Sequence, residues 1–360
     1  MRKTKILLNK SNLIHNFNLI QSKSPKSKLI PLVKSNAYGH GQADIISMLQ
    51  GLDYFALGIA YTDEAYKIRK YDENSKLIVV VPITENDIDD VIKLDLIPTI
   101  ESLEVLIKLN EEAQKHDKIV DYHLFVNTGM NRDGVDVFEF EKIIENRTYL
   151  KNVNLSGILS HYASSEEFEF SQKQYAKFMS IINHFNLGDI PLHISNSNGI
   201  FNHDNSKMTY IRPGLALYGI SSNENDSLNL RPVLELITSV KNIINVKKDE
   251  YVGYSFKYKA IDETKVAILP IGYGDGFSTL NYNKAECIIN GKKAKIVGSI
   301  CMDLIMCDVS EIECEIGDDV ILIGSDENNK IKVNEIAKNM GVIPYEVTTL
   351  LKSKIEREIV

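Results

Sequence analysis

The chain has 360 residues, more than one hydrophobic core usually serves, so we expect two domains. Apolar residues make up 44% of the chain and charged residues 25%, the balance of an ordinary globular protein. The net charge of −8 argues against a nucleic-acid-binding surface. No apolar run approaches the roughly 20 residues that would span a bilayer. The composition therefore favours a small-molecule substrate, with neither nucleic acid nor membrane as a partner.

All four cysteines lie in the last quarter of the chain, and their spacing fits neither a Cys-x-x-Cys motif nor a zinc finger. We interpret them as the reduced thiols of a cytoplasmic protein. The basic N-terminus carries an apolar stretch that is too short for a secretory signal, which favours the same location.

Eight short apolar segments alternate with amphipathic stretches in the first 225 residues. Turn residues bound each segment, which is typical of strands that are buried on both faces. The predicted strands are 28–34, 54–60, 76–82, 96–100, 121–127, 155–161, 191–195 and 209–212. Helical patterns between strands begin at Ser11, which we expect to be an N-cap, and at Thr99 and Phe168. This alternation predicts an α/β fold with a (β/α)8 TIM-type barrel over residues 1–225.

The pattern changes after residue 220. The polar segment 221–231 indicates a linker. Beyond it come short alternating runs with turn signals, of which Asn290-Gly291 is the clearest. One helix is predicted at VNEIAKNM, residues 333–340. Residues 226–360 are therefore predicted to form a mostly β domain.

The string LVKSNAYGHG, residues 32–41, places a lysine at the C-terminal end of the first barrel strand. Barrel enzymes build their active sites on that face. Desolvation lowers the pKa of a lysine amine and frees it for Schiff-base chemistry. Tyr38, Gly39 and Gly41 follow in a loop whose backbone can approach an anion. We therefore predict that Lys34 is the reactive residue.

This string resembles the cofactor-lysine motif of the alanine racemases, which are fold-type III pyridoxal-phosphate enzymes. Further motifs match that family in the same order along nearly the whole chain. The resemblance implies an N-terminal barrel followed by a β domain. It also implies that Lys34 carries pyridoxal 5'-phosphate and that Tyr38 contacts the cofactor's phosphate.

The string VNTGMNRDGV, residues 126–135, matches a second motif of the family. The resemblance implies that Arg132 lies near the substrate carboxylate, which a guanidinium can bind through two parallel hydrogen bonds. Many family members orient this arginine with a carbamylated lysine, and this chain has Phe125 at that position. Another group must therefore orient Arg132.

Three further strings complete the cofactor site that the resemblance implies: SGILSHYASS, HISNSNGI and IRPGLALYG. His161 would stack on the pyridine ring, and Arg212 would face the pyridine nitrogen. Ser197, with the backbone of Gly214 and Leu215, would hold the phosphate. Because a guanidinium does not release its proton, the ring nitrogen would stay unprotonated, which favours reprotonation at Cα over transamination.

The string YVGYSFKY, residues 251–258, contains Tyr254, which the resemblance implies is a second catalytic base. Racemisation removes a proton from one face of Cα and delivers one to the other, so two bases on opposite faces are needed. Lys34 would abstract from D-alanine and Tyr254 from L-alanine. In the family this tyrosine reaches the partner subunit's active site, which implies a homodimer.

The strings PIGYGDGF, 270–277, and VGSICMDLIMCDV, 297–309, resemble the family's substrate gate. Tyr273 would be the gate tyrosine, and the backbone N–H of Met302 would bind the substrate carboxylate. Asp303 would shape the substrate entrance.

This chain departs from the family at several positions in its second half. Ser299 stands where an arginine is common, and Leu304 stands where a glutamine is common. The C-terminal string TTLLKSKIEREIV lacks the family's phosphate-binding tyrosine, which leaves Ser353 or Lys352 as candidates for that contact.

Several functions fit these motifs. The first is an alanine racemase that supplies D-alanine for cell-wall peptidoglycan, with serine as the next substrate. A fold-type III decarboxylase would need an acidic group in place of Arg212. A third alternative is a weakly active pyridoxal-phosphate-binding protein: its single-domain relatives lack the β domain, but the departures at Phe125, Ser299, Leu304 and the C-terminus leave a weakened or altered enzyme open. Lys34, Arg212 and Tyr254 together favour the racemase.

Overall fold

A computed structural model describes residues 3–221 and 228–360, which form two compact units. One unit comprises residues 17–35 and 49–217, and the other the described parts of 1–16, 36–48 and 218–360. Six residues of the predicted linker, 222–227, lie outside the described residues. In the described ranges, no helix combines the length and the apolar character that a membrane span requires.

The secondary structure alternates in the first half of the chain and is mostly extended in the second. The strands are β1 (Lys5–Leu8), β2 (Lys28–Leu29), β3 (Leu57–Ile59), β4 (Leu77–Pro82), β5 (Leu96–Ile100), β6 (Val120–Phe125), β7 (Val153–Leu159), β8 (Leu192–His193), β9 (Tyr210–Ile211), β10 (Leu234–Ser239), β11 (Asn242–Val246), β12 (Thr264–Leu269), β13 (Glu286–Ile289), β14 (Lys292–Ile296), β15 (Ile305–Asp308), β16 (Asp319–Ser325), β17 (Lys330–Ile331) and β18 (Glu356–Ile359). The helices are α1 (Lys10–Lys23), α2 (Lys34–Tyr38), α3 (Gln42–Leu49), α4 (Thr62–Ile68), α5 (Ile88–Leu94), α6 (Leu103–Lys115), α7 (Val137–Asn146), α8 (Phe168–His184), α9 (Ser197–Asn202), α10 (Val333–Met340) and α11 (Pro344–Thr349).

Strands β2 to β9 form a parallel barrel, as the sequence predicted. β3 to β8 are hydrogen-bonded in chain order, and β9 pairs with β2. A parallel bridge between Leu32 and Gly58 joins β2 to β3. On the other side of the pair, the Thr209 N–H donates to the Leu192 carbonyl at 2.9 Å. Every residue of β3 and β5 is buried, which explains why these strands are apolar throughout.

Two of the predicted helix starts were wrong. α1 begins at Lys10, because the side chain of Asn9, not Ser11, accepts the N–H of Asn12. Thr99 belongs to β5, and α6 begins at Leu103, where the Ser102 side chain accepts the Val105 N–H. The long helix predicted from Phe168 is present as α8.

The second unit contains a ten-stranded sheet in the order β11-β12-β15-β14-β13-β16-β10-β1-β18, with β17 paired to β16. β1 comes from the N-terminus and pairs antiparallel with β10 and parallel with β18. The predicted turn joins β13 to β14, with φ of 48° at Asn290 and 76° at Gly291. α10 covers the predicted helix, and α11 was not predicted. The domain boundary at residue 225 stays a prediction.

Close packing inside the barrel gives a test of the fold at Gly157 on β7. A Cβ atom at Gly157 would lie 2.5 Å from Nε2 of His123 on β6. We expect Gly157→Ala to lower the free energy of unfolding by about 1–3 kcal/mol, since the buried ring has to move. Chemical denaturation would measure this. In the control Gly188→Ala the new methyl meets no atom within 4 Å, so a change beyond about 1 kcal/mol there would contradict the explanation.

Candidate active site

Lys34 begins α2, two residues after the bridge between Leu32 and Gly58 that extends the pairing of β2 with β3. Its side chain is half-buried. Burial lowers the pKa of its amine, and the positive charges of Arg132 and Arg212 lower it further. The carboxylate of Glu64 acts in the opposite direction. The environment therefore favours the neutral amine, which is the form that attacks carbonyl groups.

The backbone that follows Lys34, along the short helix α2, forms a left-handed turn. Residues 35–38 have φ between 52° and 55°, and none of them is glycine. Each left-handed residue of this kind costs about 1–2 kcal/mol. Strained backbone of this sort persists only where surrounding contacts fix it, and it concentrates at functional sites. One such contact is the hydrogen bond from the Ser35 N–H to Glu64 Oε1 at 2.5 Å.

Arg212 is the most deeply buried charged group of the site, with 2% of its surface exposed. Its Nη1 donates to Nδ1 of His193 at 2.7 Å. Its Nη2 lies 2.7 Å from the Ser160 carbonyl and 3.0 Å from Nδ1 of His161. The Ile194 carbonyl accepts a further bond at 3.2 Å. All four acceptors are neutral, so this guanidinium keeps its full positive charge available to a ligand.

Arg212 determines which ring nitrogen of its two histidine partners is unprotonated. A guanidinium only donates, so Nδ1 of both His161 and His193 must be unprotonated. Nε2 of His193 lies 2.9 Å from Nδ1 of His123, which extends the chain of hydrogen bonds into the barrel. Burial, followed by the charge of Arg212, lowers the pKa of His161 and of His123 to about 3. The same causes lower the pKa of His193.

Burial also lowers the pKa of Arg212 itself, to about 9, with a smaller contribution from Arg132. That value still leaves the guanidinium charged at neutral pH. A positive donor inside the barrel, at the predicted pyridine-facing position, is therefore maintained.

Arg132 follows β6, and its Nε donates to Oδ2 of Asp133 at 2.6 Å. Phe125, the residue that replaces the family's carbamylated lysine, is buried at the end of β6. A Cβ on Gly134 would lie 3.0 Å from the Phe125 ring, so Phe125 packs under this loop. Asp133 is thus the group that orients Arg132, directly from the neighbouring position in the sequence.

Ser197 joins two segments of the predicted phosphate site. Its Oγ accepts the N–H of Gly214 at 3.0 Å and that of Ala216 at 3.1 Å. Leu215, between them, is buried at the start of a 3-10 helix. The preceding helix α9 begins at Ser197, and the Asn196 side chain caps it by accepting the Gly199 N–H.

These groups suit pyridoxal phosphate. An amine with a lowered pKa stands beside two guanidinium groups, and the hydroxyl of Ser197 on α9 meets backbone N–H groups of the segment after Arg212. Such a set matches a carbonyl compound that carries a phosphate. In the described part of the chain, no group of three or more His, Cys, Asp or Glu side chains could hold a metal ion.

The other unit contains the remaining predicted residues. Tyr38 is buried, with its ring centroid 5.4 Å from that of Tyr218 and 5.7 Å from that of Tyr345. The loop after Tyr38 is held by Arg357, which donates to the Gly39 carbonyl at 2.9 Å. Ser353 and Lys352 are exposed near the C-terminus.

The predicted gate residues lie together around one open pocket of about 640 Å³. Its lining includes Tyr254, Tyr273, Met302 and Asp303. Tyr254 is 72% exposed, so its phenol is available to a second molecule. Ser299, where the family commonly has arginine, donates to the Tyr254 carbonyl at 2.7 Å and fixes this segment.

Four residues of the site were missed by sequence reasoning: Glu64, Asp133, His123 and His193. The two histidines carry a recognisable signal, because each is an ionisable residue flanked by apolar residues in a barrel strand. Asp133 stands beside the predicted arginine. Glu64 has no such signal, since its partner Ser35 lies 29 residues away.

Comparison with known proteins identifies a single family over both halves of the chain. Residues 8–222 match the family model described as alanine racemase, N-terminal domain, and residues 233–359 match that of the C-terminal domain. A curated alanine racemase of Clostridium novyi is 34% identical over 97% of this chain and 93% of its own length. That of Borreliella burgdorferi is 33% identical over 95% of this chain and 93% of its own length.

Solved structures agree with these matches. Alanine racemase of Clostridium difficile 630 superimposes with a TM-score of 0.93 at 28% identity, covering 100% of this chain and 96% of that one. Alanine racemase of Bartonella henselae with covalently bound pyridoxal phosphate superimposes with a TM-score of 0.90 at 25% identity, covering 100% of both chains.

The neutral histidines around Arg212 predict how stability depends on pH. His123, His161 and His193 have a folded pKa below the usual 6.5, so their contribution is full above pH 6.5 and is lost as the pH falls towards 3. We expect each of these histidines to lower the free energy of unfolding by about 1 kcal/mol between pH 7.5 and 5.5, and the buried His40, whose pKa is lowered to about 4, to add a similar fall.

Denaturant titrations of the protein at the two pH values would measure this fall. His161→Phe removes one of the four contributions, so the fall should shrink by about a quarter. Equal stability at both pH values would show that these side chains are not held neutral.

Proposed function

Because this chain belongs to the alanine racemase family, we propose that it interconverts L-alanine and D-alanine with pyridoxal 5'-phosphate bound at Lys34. The observation that carries this proposal is Arg212, a buried guanidinium held by neutral partners. A transaminase or decarboxylase would need an acidic residue at this position to protonate the pyridine nitrogen.

The residues around Lys34 suit the cofactor. Lys34 would bind its carbonyl carbon, and Arg212 would face the ring nitrogen. Ser197 and the backbone of Gly214 and Leu215, with Tyr38, would hold the phosphate, and His161 would stack on the ring. When bound, the cofactor withdraws electrons from Cα of the amino acid and so acidifies its hydrogen.

Two side chains would exchange protons with Cα. Nζ of Lys34 would act on one face, removing the hydrogen of D-alanine, and the phenol oxygen of Tyr254 would act on the other, removing that of L-alanine. Tyr254 is exposed in its own subunit, which supports a homodimer in which it enters the partner subunit's active site. The lowered pKa of Lys34 supports its role as a base, because more of the amine is then unprotonated at a given pH.

Substrate binding would rest on Arg132 and on the gate residues. Arg132, oriented by Asp133, would bind the carboxylate of alanine. The Met302 N–H would bind it as well, while Tyr273 and Asp303 would line the entrance. The D-alanine formed in this way would be used for peptidoglycan. The four free cysteines fit a cytoplasmic location.

The two-base mechanism predicts that, without the Tyr254 phenol, only one of the two alanine enantiomers exchanges its Cα hydrogen with solvent. The equilibrium constant between enantiomers is one, so Tyr254→Phe must slow racemisation equally in both directions. We expect a loss of about 10²–10⁴-fold. In D2O, however, Tyr254→Phe should still exchange the Cα hydrogen of D-alanine, through Lys34, and not that of L-alanine. Chiral chromatography with mass spectrometry measures both.

Two further variants serve as controls for this experiment. Lys34→Ala should abolish racemisation and both exchanges. Tyr251→Phe, an exposed tyrosine of the same segment, is the matched control and should retain racemisation. Equal exchange of both enantiomers by Tyr254→Phe would exclude Tyr254 as the base for L-alanine. No D-alanine from folded wild-type protein with bound cofactor would exclude alanine as the substrate.

The role of Asp133 can be tested through substrate affinity. Asp133→Asn removes the ion pair that orients Arg132, and exposed pairs of this kind contribute about 0.2–1 kcal/mol. We expect KM for alanine to rise about two- to five-fold, with little change in kcat. Steady-state kinetics in both directions would measure this, and an unchanged KM would mean that another group orients Arg132.

A further inference from the structure

Glu64 makes two hydrogen bonds, and the one to Ser35 is not required by its place in the helix. It lies in the first turn of α4 and is half-buried. An acidic side chain there ordinarily serves its own helix, by accepting helix N–H groups or facing the positive end of the dipole. Glu64 instead accepts N–H groups from outside the helix: Ser35 at Oε1, at 2.5 Å, and Ala60 at Oε2, at 2.7 Å.

The two N–H groups follow neighbouring barrel strands. Ser35 comes directly after Lys34, beyond the end of β2, and Ala60 comes directly after β3. One carboxylate therefore fastens the two strand ends together at the rim of the barrel. Ser35 is also the first residue of the left-handed turn, with φ of 52°, so the contact holds the backbone where its conformation is least favourable.

We propose that Glu64 is a positioning residue, whose carboxylate clamps the backbone of Ser35 to the end of β3 and thereby fixes the direction of the Lys34 side chain. This rests on the proposed role of Lys34 as cofactor carrier and base. Small displacements of a reacting group are costly in rate, so a clamp one residue away from it can affect kcat without touching the substrate.

The charge of Glu64 adds a second effect on the same residue. It opposes the influence of Arg132 and Arg212 on the Lys34 amine. Removing that charge should lower the pKa of Lys34, so that the amine stays neutral to a lower pH. This effect requires the carboxylate's charge, whereas the clamp requires its geometry, and two substitutions can separate them.

Glu64→Gln removes the charge and leaves only one oxygen for two N–H donors. Glu64→Asp keeps the charge and shortens the side chain, so that it cannot span both donors. The matched control is Asp63→Asn, which removes an exposed acidic side chain from the same turn of α4. It accounts for any effect of helix charge alone.

Amide hydrogen exchange tests the clamp directly and does not depend on activity. Measured by mass spectrometry on the cofactor-loaded protein, peptides containing Ser35 and Ala60 should lose protection in Glu64→Gln and Glu64→Asp and keep it in Asp63→Asn. Unchanged protection in both Glu64 variants would overturn the proposal.

Kinetics then test the positioning of Lys34. We expect kcat to fall about 10- to 100-fold in both Glu64 variants, the loss expected for one hydrogen bond to a charged group. KM should change little, because Glu64 is not placed against the substrate. Asp63→Asn should stay within about twofold of wild type.

A pH series distinguishes the effect of the Glu64 charge from a general loss of structure. The rate at which cofactor-free protein binds added pyridoxal phosphate can be followed by absorbance. We expect the pH profile of this rate to shift to lower pH in Glu64→Gln and to stay unchanged in Glu64→Asp. Lost protection with unchanged kcat would overturn the positioning role. Absence of racemisation in the wild type would instead refute the proposed function, while hydrogen exchange would still decide whether the clamp exists.

Discussion

The buried guanidinium of Arg212 determines which groups inside the barrel must accept hydrogen bonds. A guanidinium can only donate hydrogen bonds, so every group around Arg212 must accept. His161, His193 and two backbone carbonyls do so, and this fixes both histidines as neutral acceptors. The same charge adds to burial and to Arg132 in lowering the pKa of the Lys34 amine. Burial and the charge of Arg212 thus act together on the residues that would hold the cofactor and move the proton.

The barrel unit brings several positively charged side chains together, and they repel one another. Arg132, Arg212 and Lys34 each lower the proton affinity of at least one other group in the site. Burying a charge without a counter-ion is unfavourable unless hydrogen bonds or a ligand compensate. A dianionic phosphate and a substrate carboxylate would supply that compensation. Ligand binding should therefore relieve electrostatic strain, and the negative charge of Glu64 beside Lys34 provides part of that relief within the protein.

How far the sequence predicts the structure depends on the range of the interactions concerned. All eight barrel strands were located, because burial on both faces leaves continuous apolar runs. The starts of α1 and α6 were misplaced, since the choice between Asn9 and Ser11 as cap depends on backbone geometry and not on residue type. Lys34 and Arg212 were found from their motifs. Glu64 was missed because its hydrogen bond to Ser35 spans 29 residues and leaves no local pattern.

Near two positions where this chain departs from the family pattern, a hydrogen bond supports a residue that would act on the substrate. Phe125 cannot orient Arg132, and the adjacent Asp133 does so from the loop instead. Ser299 replaces a common arginine, yet its hydroxyl fixes the backbone of the Tyr254 segment. In each case a short side chain makes the supporting contact, Asp133 from the next residue and Ser299 from a segment 45 residues along the chain. Short side chains lose less rotamer entropy when they are ordered than a long charged side chain does. Contacts of this kind therefore restrict the segments of Arg132 and Tyr254 at a small cost in side-chain entropy.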